Sequence, residues 1–339
     1  MYFGLSIFYW LFVCTNAQFL LKLRYEPNYL PIYESSTEFF EQSDINIPTH
    51  EVDLTNFGLR SNYSWQDVLE EIDLSPNQKL FFLQRHAEGY HLTAKSHFNF
   101  SSIDWRCYWS LQKGKDGIEW YDAELTEKGY KQTHKFTKKI KSVSDFPIPQ
   151  RFYVSPLRRT LQTWWETWND LTEKTPIIKE FAREIYGIDS ESERHNKSYI
   201  EHHFPEFEFE SGFSFDDVLW SSEYREKTEH CQYRAASLLR DIFDETSEDD
   251  KIISIVSHSG LIYCILDVVQ HRYYGLSPGG LIPVIIEIQN DKKIYPLDDA
   301  YSNFTNWCPY ETSSISERIA ISTDNVDDCE DASQSKEDS

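Results

Sequence analysis

The stretch Leu80–His91 reads LFFLQRHAEGYH, in which a short apolar run ends abruptly in an arginine, a histidine and a carboxylate. The four apolar residues at its start are typical of a strand that is buried on both faces. Arg85, His86 and Glu88 are then expected on the loop after this strand, at the edge where open α/β sheets carry their chemistry. An arginine can hold two phosphate oxygens while a neutral imidazole attacks phosphorus. Taken alone, the pair is equally compatible with a surface dipeptide that has no role.

Two later strands are followed by similar residues. Arg151–Ser155 (RFYVS) runs directly into SPLRRTLQT, which predicts a helix with Arg158 and Arg159 in its first turn. Backbone N–H groups favour an anion there and arginines oppose the helix dipole, so we expect at least one of the two to bind phosphate. Lys251–Val256 (KIISIV) is the clearest strand of the chain, and His258 follows it in a tight turn before another helix.

The alternation of strands and helices predicts a single α/β domain of three layers, with a mostly parallel sheet and helices on both faces. Right-handed crossovers bring the ends of such strands to one rim. Arg85, His86, the arginine pair and His258 would therefore line a pocket for a phosphoryl group. The sequence has no Gly-x-x-x-x-Gly-Lys-Ser/Thr loop and no evident cluster of magnesium-binding carboxylates, so it predicts phosphate chemistry without a metal or other cofactor.

The rest of the domain is less regular in pattern. The expected elements are a long irregular insert at Leu92–Tyr121, a helix from Leu125 to about Lys141, a short strand at Ile177–Lys179, a long helix at Tyr224–Asp244 and a last strand at Val284–Ile288. The insert contains Trp105, Tyr108, Trp109 and Trp120. It forms either the roof of the pocket or a small hydrophobic core under a long loop.

Charge and composition limit the partners and the domain boundaries. The 339 residues carry a net charge of −23, which argues against a nucleic-acid binder because such proteins need a basic face. Residues 18–76 are polar with scattered aromatics and are expected to form an extension that packs on a domain at 77–300. Residues 301–339 are acidic and rich in serine, and this tail is predicted to be disordered.

The amino-terminal residues Met1–Ala17 carry no charged side chain and end in small residues, which favours a secretory signal peptide. Further apolar residues after them leave a signal anchor open, and an intracellular location follows if the leader does not function. No later stretch is long enough to span a membrane. Removal of the leader leaves five cysteines without a CxxC pair, and their pairing is undetermined. Four Asn-x-Ser/Thr sequons agree with secretion or a cell-surface location, at Asn62, Asn99, Asn196 and Asn303.

A group of histidines at His195, His202 and His203 raises the question of a metal site. Their spacing matches no helical ligand pair, and no carboxylate or cysteine pattern accompanies them. We therefore expect solvated or hydrogen-bonded histidines rather than metal ligands.

As a set, these motifs resemble those of the histidine phosphatase superfamily, the phosphoglycerate mutase-like proteins. RHAEGYH resembles the Arg-His-Gly signature, SPLRRTLQT matches the recurring Ser-x-Leu-x-Arg segment, and SHSG resembles the motif with the second histidine. DAELTEKG, REIYG and the Tyr-Trp-Ser element at Tyr108–Ser110 make the chain most similar to a fungal branch of broad-range phosphatases. The resemblance covers roughly Leu80–Ile288.

The resemblance implies a role for each of five residues. His86 would be the nucleophile that becomes phosphohistidine, and Arg85 and Arg159 would hold the phosphoryl oxygens. His258 would complete the pocket, and Glu184 would protonate the leaving oxygen. The expected function is therefore a metal-independent phosphatase that hydrolyses small phosphate monoesters.

Two alternatives stay open. A phosphoglycerate-type phosphomutase would use the same phosphohistidine but shield it from water. A catalytically weak protein that binds phospholigands is suggested by Leu92, which stands where relatives supply an amide near the phosphate. If the loop around Glu184 folds differently, the candidates for the acid are Glu88, Glu180 and Glu191.

Overall fold

A seven-stranded sheet forms the centre of the protein. The structure is a computed structural model, and it describes residues 28–308. The predicted leader and the part of the predicted tail after Cys308 lie outside this range. In chain order the strands are Tyr29–Ser35 (β1), Gln78–Arg85 (β2), Gly114–Lys115 (β3), Ile118–Glu119 (β4), Arg151–Val154 (β5), Ile177–Ile178 (β6), Glu208–Phe209 (β7), Tyr224–Glu226 (β8), Ile252–Ser257 (β9), Leu281–Ile294 (β10) and Tyr301–Asn303 (β11).

The strand order in the main sheet is β1-β10-β2-β9-β5-β6-β7. The strands β2, β9, β5, β6 and β7 are neighbours in this order and are all parallel to one another. β10 is antiparallel to β2, and β1 is antiparallel to β10. The sheet is therefore mixed but mostly parallel, as expected. β8 pairs with β11, and β3 pairs with β4 in a small hairpin.

Helices cover both faces of the sheet. They are Trp65–Asp73 (α1), Tyr90–His97 (α2), Ser102–Cys107 (α3), Glu127–Ser142 (α4), Arg158–Trp168 (α5), Lys197–His203 (α6), Thr228–Glu245 (α7), Ser259–Val268 (α8) and Phe304–Trp307 (α9). None of the helices between residues 28 and 308 is long and apolar enough to cross a bilayer.

The apolar run of β2 explains the three layers. Successive side chains of a strand point to opposite faces, so Phe81 and Leu83 enter one hydrophobic core while Leu80 and Phe82 enter the other. A strand that is apolar at every position therefore needs cover on both sides. The helices on the two faces supply that cover, and the predicted three-layer α/β domain is confirmed.

The described part of the amino-terminal extension belongs to the same domain. β1 hydrogen-bonds along β10, and Tyr33 lies fully buried in one core. Trp65 of α1 lies fully buried in the other core. Because the extension adds an edge strand to the sheet, Pro76 does not mark a structural boundary.

Two predicted segments differ from the structure. The insert Leu92–Tyr121 is not irregular, since it contains most of α2, all of α3 and the β3–β4 hairpin. Its aromatic rings pack on one another, with Phe100 and Trp109 stacked at 4.5 Å between ring centroids. The helix predicted from Tyr224 begins only at Thr228, because Tyr224–Glu226 pairs with β11 instead.

The first residues of the predicted disordered tail are ordered. Tyr301–Cys308 forms β11 and α9, and a disulfide joins Cys308 to Cys107 in the insert. The indole N–H of Trp307 donates to the carbonyl of Arg106 at 2.9 Å. The prediction of disorder is therefore wrong for these residues, because contacts across 201 positions of sequence hold them. A second disulfide, Cys231–Cys264, joins α7 to α8.

Candidate active site

Three parallel strands end side by side and carry the candidate residues. Arg85 of β2 is in register with Ser257 of β9, and Val154 of β5 is in register with Val256 of β9. His86 and His258 are the first residues after β2 and β9, so the sheet brings both to one rim. Arg85 is the last residue of β2 rather than a loop residue, because its strand extends two positions beyond the apolar run.

His86 is held in a single tautomer. Its ring is buried, and its Nδ1 lies 2.7 Å from the carbonyl oxygen of Ala87. A carbonyl only accepts hydrogen bonds, so Nδ1 carries the proton and Nε2 keeps its lone pair. The main chain of His86 is fixed as well, because its N–H donates to Ser257 and its carbonyl accepts from Gly279, each at 2.9 Å. This arrangement is that of a positioned nitrogen nucleophile.

Two further histidines surround His86. The ring centroids of His91 and His258 each lie 5.0 Å from that of His86, and both rings are buried. Nε2 of His258 lies 2.8 Å from the Ser155 hydroxyl. Nδ1 of His91 and Nδ1 of His258 have no hydrogen-bond partner in the part of the chain that the structure describes.

His91 was missed as a site residue from the sequence, although it ends the stretch that begins at Leu80. Its distance of five positions from His86 matches no strand or helix periodicity. Its position depends on α2, which begins at Tyr90 directly after the Gly89 turn. Leu92, the next residue, is 40% exposed.

Arg85 and Arg159 supply the positive charge of the site. Arg159 is fully buried in the first turn of α5, and its Nη1 donates to the carbonyl of Glu191 at 2.9 Å. Nη1 of Arg85 donates to the carbonyl of Leu276 at 2.7 Å. Nε of each arginine lacks a hydrogen-bond partner among residues 28–308. In each guanidinium group a main-chain carbonyl binds Nη1 while Nε has no partner within the described range, so the group can still donate hydrogen bonds to an anion.

Arg158 does not contribute to the pocket. Its Nε donates to the carbonyl of Asp122 at 2.6 Å, and its terminal nitrogens contact Glu119 at 2.9 Å and Glu124 at 3.1 Å. Of the two arginines, Arg159 is therefore the one to which the prediction of phosphate binding applies. Successive helix residues point about 100° apart, which sends the two side chains in different directions.

Burial keeps the three histidines neutral. Burial, followed by the positive charge of Arg159, holds the pKa of His86 well below its usual value. The same two causes, in the same order, lower the pKa of His91 and of His258. The imidazoles are therefore uncharged at neutral pH, and the lone pair on Nε2 of His86 remains available.

Glu184 lies on the loop that faces the start of α8. A Cβ atom on Gly260 would lie 2.1 Å from Oε1 of Glu184, so a side chain at this position would displace the carboxylate. Oε1 also accepts from the N–H of Ile185 at 2.9 Å. The negative charge of Glu184 acts on both Arg85 and Arg159, where it opposes the lowering of their pKa by burial. Glu184 thus interacts electrostatically with both arginines.

The other three acid candidates differ in their surroundings. Glu88 is held by Thr126 and Lys128, at 2.9 and 2.7 Å. Glu180 is fully buried in ion pairs with two arginines of its own loop. Burial and the nearby charge of Asp189 raise the pKa of Glu191 to about 8. Glu191 also interacts with Arg159, which makes it the alternative acid that is coupled to an arginine of the site.

The predicted non-catalytic histidines lie away from His86. Nδ1 of His195 lies 2.7 Å from Asp122, and its ring stacks on Tyr199. His202 and His203 form the end of α6. Over residues 28–308, no three His, Cys, Asp or Glu side chains form a group that could hold a metal ion.

Comparisons with known proteins indicate the family of this chain. The model of the histidine phosphatase superfamily (branch 1) matches residues 108–275, a segment that contains Arg159, Glu184 and His258. A phosphomutase-like protein 3 of Candida albicans is 58% identical over 85% of this chain and 90% of its own length. A probable phosphoglycerate mutase of Arthroderma benhamiae is 35% identical over 62% of this chain and 64% of its own length.

Among solved structures, a mycobacterial glucosyl-3-phosphoglycerate phosphatase covers 62% of this chain and 97% of its own, with 15% identity and a TM-score of 0.36. The long, closely similar Candida relative and the family model lead to one conclusion. The chain belongs to the histidine phosphatase superfamily.

Proposed function

We propose that the protein hydrolyses small phosphate monoesters through a phosphohistidine at His86, without a metal ion. The observation that carries this proposal is a set of buried polar atoms around His86 that have no partner among residues 28–308. They belong to Arg85, His91, Arg159 and His258. A buried polar group without a partner costs about 1–3 kcal/mol, and a phosphoryl group would satisfy several of these atoms at once.

In the first step, Nε2 of His86 attacks phosphorus and the bond from phosphorus to the ester oxygen breaks. Arg85 and Arg159 bind the phosphoryl oxygens, where negative charge is concentrated in the transition state. Glu184 acts in this step in its carboxylic acid form, after taking a proton from solvent, and gives that proton to the leaving oxygen, so an alcohol departs rather than an alkoxide. The products of this step are the alcohol, phosphohistidine and the Glu184 carboxylate.

In the second step, a water molecule attacks the phosphorus of the phosphohistidine, and the Glu184 carboxylate takes a proton from that water. The bond from phosphorus to nitrogen breaks, and Nε2 of His86 recovers its lone pair. Inorganic phosphate leaves, and both catalytic groups return to their starting states. The guanidinium groups carry permanent charge through both steps, so no metal ion is needed to balance the phosphoryl oxygens.

A phosphomutase is the second candidate, and the names of the two fungal relatives favour it. A mutase transfers the phosphoryl group from His86 to a second hydroxyl of the substrate instead of to water. The two reactions differ in whether inorganic phosphate accumulates. A phospholigand-binding protein with weak turnover would instead bind phosphate tightly without forming phosphohistidine.

We also propose export to the cell surface or the medium. Two disulfides lie among residues 28–308, and disulfides persist mainly in oxidising compartments. All four sequon asparagines are exposed, and their Nδ2 atoms are therefore open to glycan attachment. The proposal rests on these features together with the apolar leader.

The nucleophile is tested by trapping. His86→Ala should abolish labelling by a ³²P-phosphate ester in rapid-quench experiments, because no other imidazole has its Nε2 in this position. His134→Ala is the matched control, since His134 pairs with Glu166 outside the pocket. Labelling of wild type should persist in the presence of a chelator. Label retained by His86→Ala contradicts the mechanism. Labelling of wild type that is lost on chelation and restored by a divalent ion contradicts it as well.

The arginine pair offers a matched test of phosphate binding. Arg159→Lys keeps the charge but loses the guanidinium fork, so its affinity for inorganic phosphate should fall about 10- to 100-fold in calorimetric titrations. Arg158→Lys should leave that affinity unchanged, because Arg158 is engaged by Glu119 and Glu124. Equal losses in the two variants would show that Arg159 has no special role.

The acid is tested by the leaving group. Glu184→Gln removes the proton donor, so an alkyl phosphate should slow by about 100-fold or more. A nitrophenyl phosphate should slow far less, because nitrophenolate leaves without a proton. Glu88→Gln is the control, and Glu191→Gln distinguishes the alternative acid. Selective slowing of alkyl esters in Glu191→Gln, with none in Glu184→Gln, would transfer the role to Glu191.

Export is tested on protein from the native host. Mass spectrometry should find a mature chain that begins at Gln18 and glycans on some of the exposed sequons, at Asn62, Asn99, Asn196 and Asn303. An intact leader on glycosylated membrane protein would indicate a signal anchor. An unglycosylated intracellular protein that begins at Met1 would overturn the proposal.

A further inference from the structure

Two exposed tyrosine rings lie against each other beside the candidate site. Tyr263 is 41% exposed and Tyr273 is 65% exposed. Their ring centroids are 5.6 Å apart, with the ring planes at 62°. The pair packs edge to face, yet a large part of each ring remains open to solvent. The proposed mechanism does not use either ring.

Tyr263 lies on the same face of α8 as Gly260. The two positions are three residues apart, and side chains at this spacing are neighbours on a helix surface. Leu261 is buried on the opposite side of the helix from Tyr263. Gly260 is the position that the Glu184 carboxylate covers. Tyr263 is therefore the next side chain along the helix face from the proposed acid.

Tyr273 lies on the segment between α8 and β10 that supports the other side of the site. This segment presents the carbonyl of Leu276 to Arg85 and the N–H of Gly279 to the carbonyl of His86. Tyr273 is three residues before Leu276, whose carbonyl accepts from Arg85. Tyr273 therefore lies on the Arg85 side of the site, and Tyr263 lies on the Glu184 side.

We propose that Tyr263 and Tyr273 form a platform for the leaving group, and that the substrates are phosphate monoesters whose alcohol carries a flat aromatic ring. The inference rests on the proposed function, because the leaving oxygen must lie beside the acid that protonates it. The group bonded to that oxygen then lies beside Glu184, where the helix face presents Tyr263. Tyr273 closes the same side of the pocket.

The geometry of the pair favours an aromatic partner. Aromatic rings attract one another in offset-stacked and edge-to-face arrangements, with centroids about 4.5–7 Å apart. Two rings at 62° present one face and one edge to a third ring. Each such contact contributes about 2- to 10-fold in affinity beyond the area that it buries. A saturated ring of similar size obtains the burial without this added attraction.

The test compares two phosphonates that differ only in the ring. Benzylphosphonate and cyclohexylmethylphosphonate carry the same charged group and the same linker, and neither is hydrolysed. Calorimetric titration of the whole protein should show tighter binding of the benzyl compound. Tyr273→Leu and Tyr263→Leu should each reduce its affinity about 2- to 10-fold while the cyclohexylmethyl affinity changes less. Tyr273→Phe should retain the preference.

Tyr29→Leu is the control, because Tyr29 is 49% exposed on β1 at the edge of the sheet. This variant should leave the affinities for both phosphonates unchanged. Equal affinity of wild type for the two phosphonates, or equal losses for both in the tyrosine variants, overturns the platform.

Turnover of the corresponding esters separates this inference from the proposed function. Hydrolysis of benzyl and cyclohexylmethyl phosphate with equal kcat/KM supports the phosphatase and overturns the platform. A benzyl preference in binding, with no release of inorganic phosphate from either ester, supports the platform and overturns the phosphatase.

Discussion

The burial of three imidazoles and the Arg159 guanidinium at one edge of the sheet, with the half-buried Arg85 beside them, is the constraint on which the rest of the site depends. Such groups are unfavourable in a protein interior unless they are paired or neutral. The histidines respond by staying neutral, and the arginines by donating to main-chain carbonyls. Thr163 connects the main chain at Arg159 to the main chain next to His86. Its hydroxyl donates to the carbonyl of Arg159 at 2.6 Å and accepts from the N–H of Ala87 at 2.9 Å. The site is therefore preorganised by the main chain.

The loop that carries Glu184 is held by a second set of buried charges. Arg183 pairs with Asp217 at 2.6 Å and with Glu180 at 3.0 Å, and Arg194 pairs with the same Glu180 at 2.9 Å. Removal of one member of such a set leaves another charge buried and unpaired, which typically costs about 3–5 kcal/mol. These arginines are more deeply buried than Glu184 itself. Their structural role is to hold the loop close to Arg159, which keeps the Glu184 carboxylate beside the candidate site.

Segments that are distant in the sequence also hold the loop that carries Glu184. Arg234 of α7 donates to the carbonyls of Phe181 and Arg183 and pairs with Glu226 of β8 at 2.6 Å. β8 in turn pairs with β11, whose end is tied through Cys308 to the insert. The position of Glu184 thus depends on helices, strands and a disulfide from the last third of the described chain.

Much of the fold and part of the site could be predicted because the relevant signals are local. The apolar runs of β2 and β9 predict strands buried on both faces, and the residue after each strand must lie at the rim of a parallel sheet. This reasoning reaches Arg85, His86 and His258, together with the pair Arg158 and Arg159 after β5. It does not reach His91, because the start of a short helix and not a strand end brings that ring to His86.

The sequence by itself determined the α/β class, the strand ends that carry the basic residues and the chemistry that such residues favour. Only the tertiary structure showed that Glu119 and Glu124 engage Arg158, which cysteines pair and where Tyr301–Cys308 packs. The physical reason is the range of the interactions. Hydrophobic periodicity and strand ends act over a few residues, whereas carboxylates 34 to 39 positions away engage Arg158 and a cysteine 201 positions away binds Cys308.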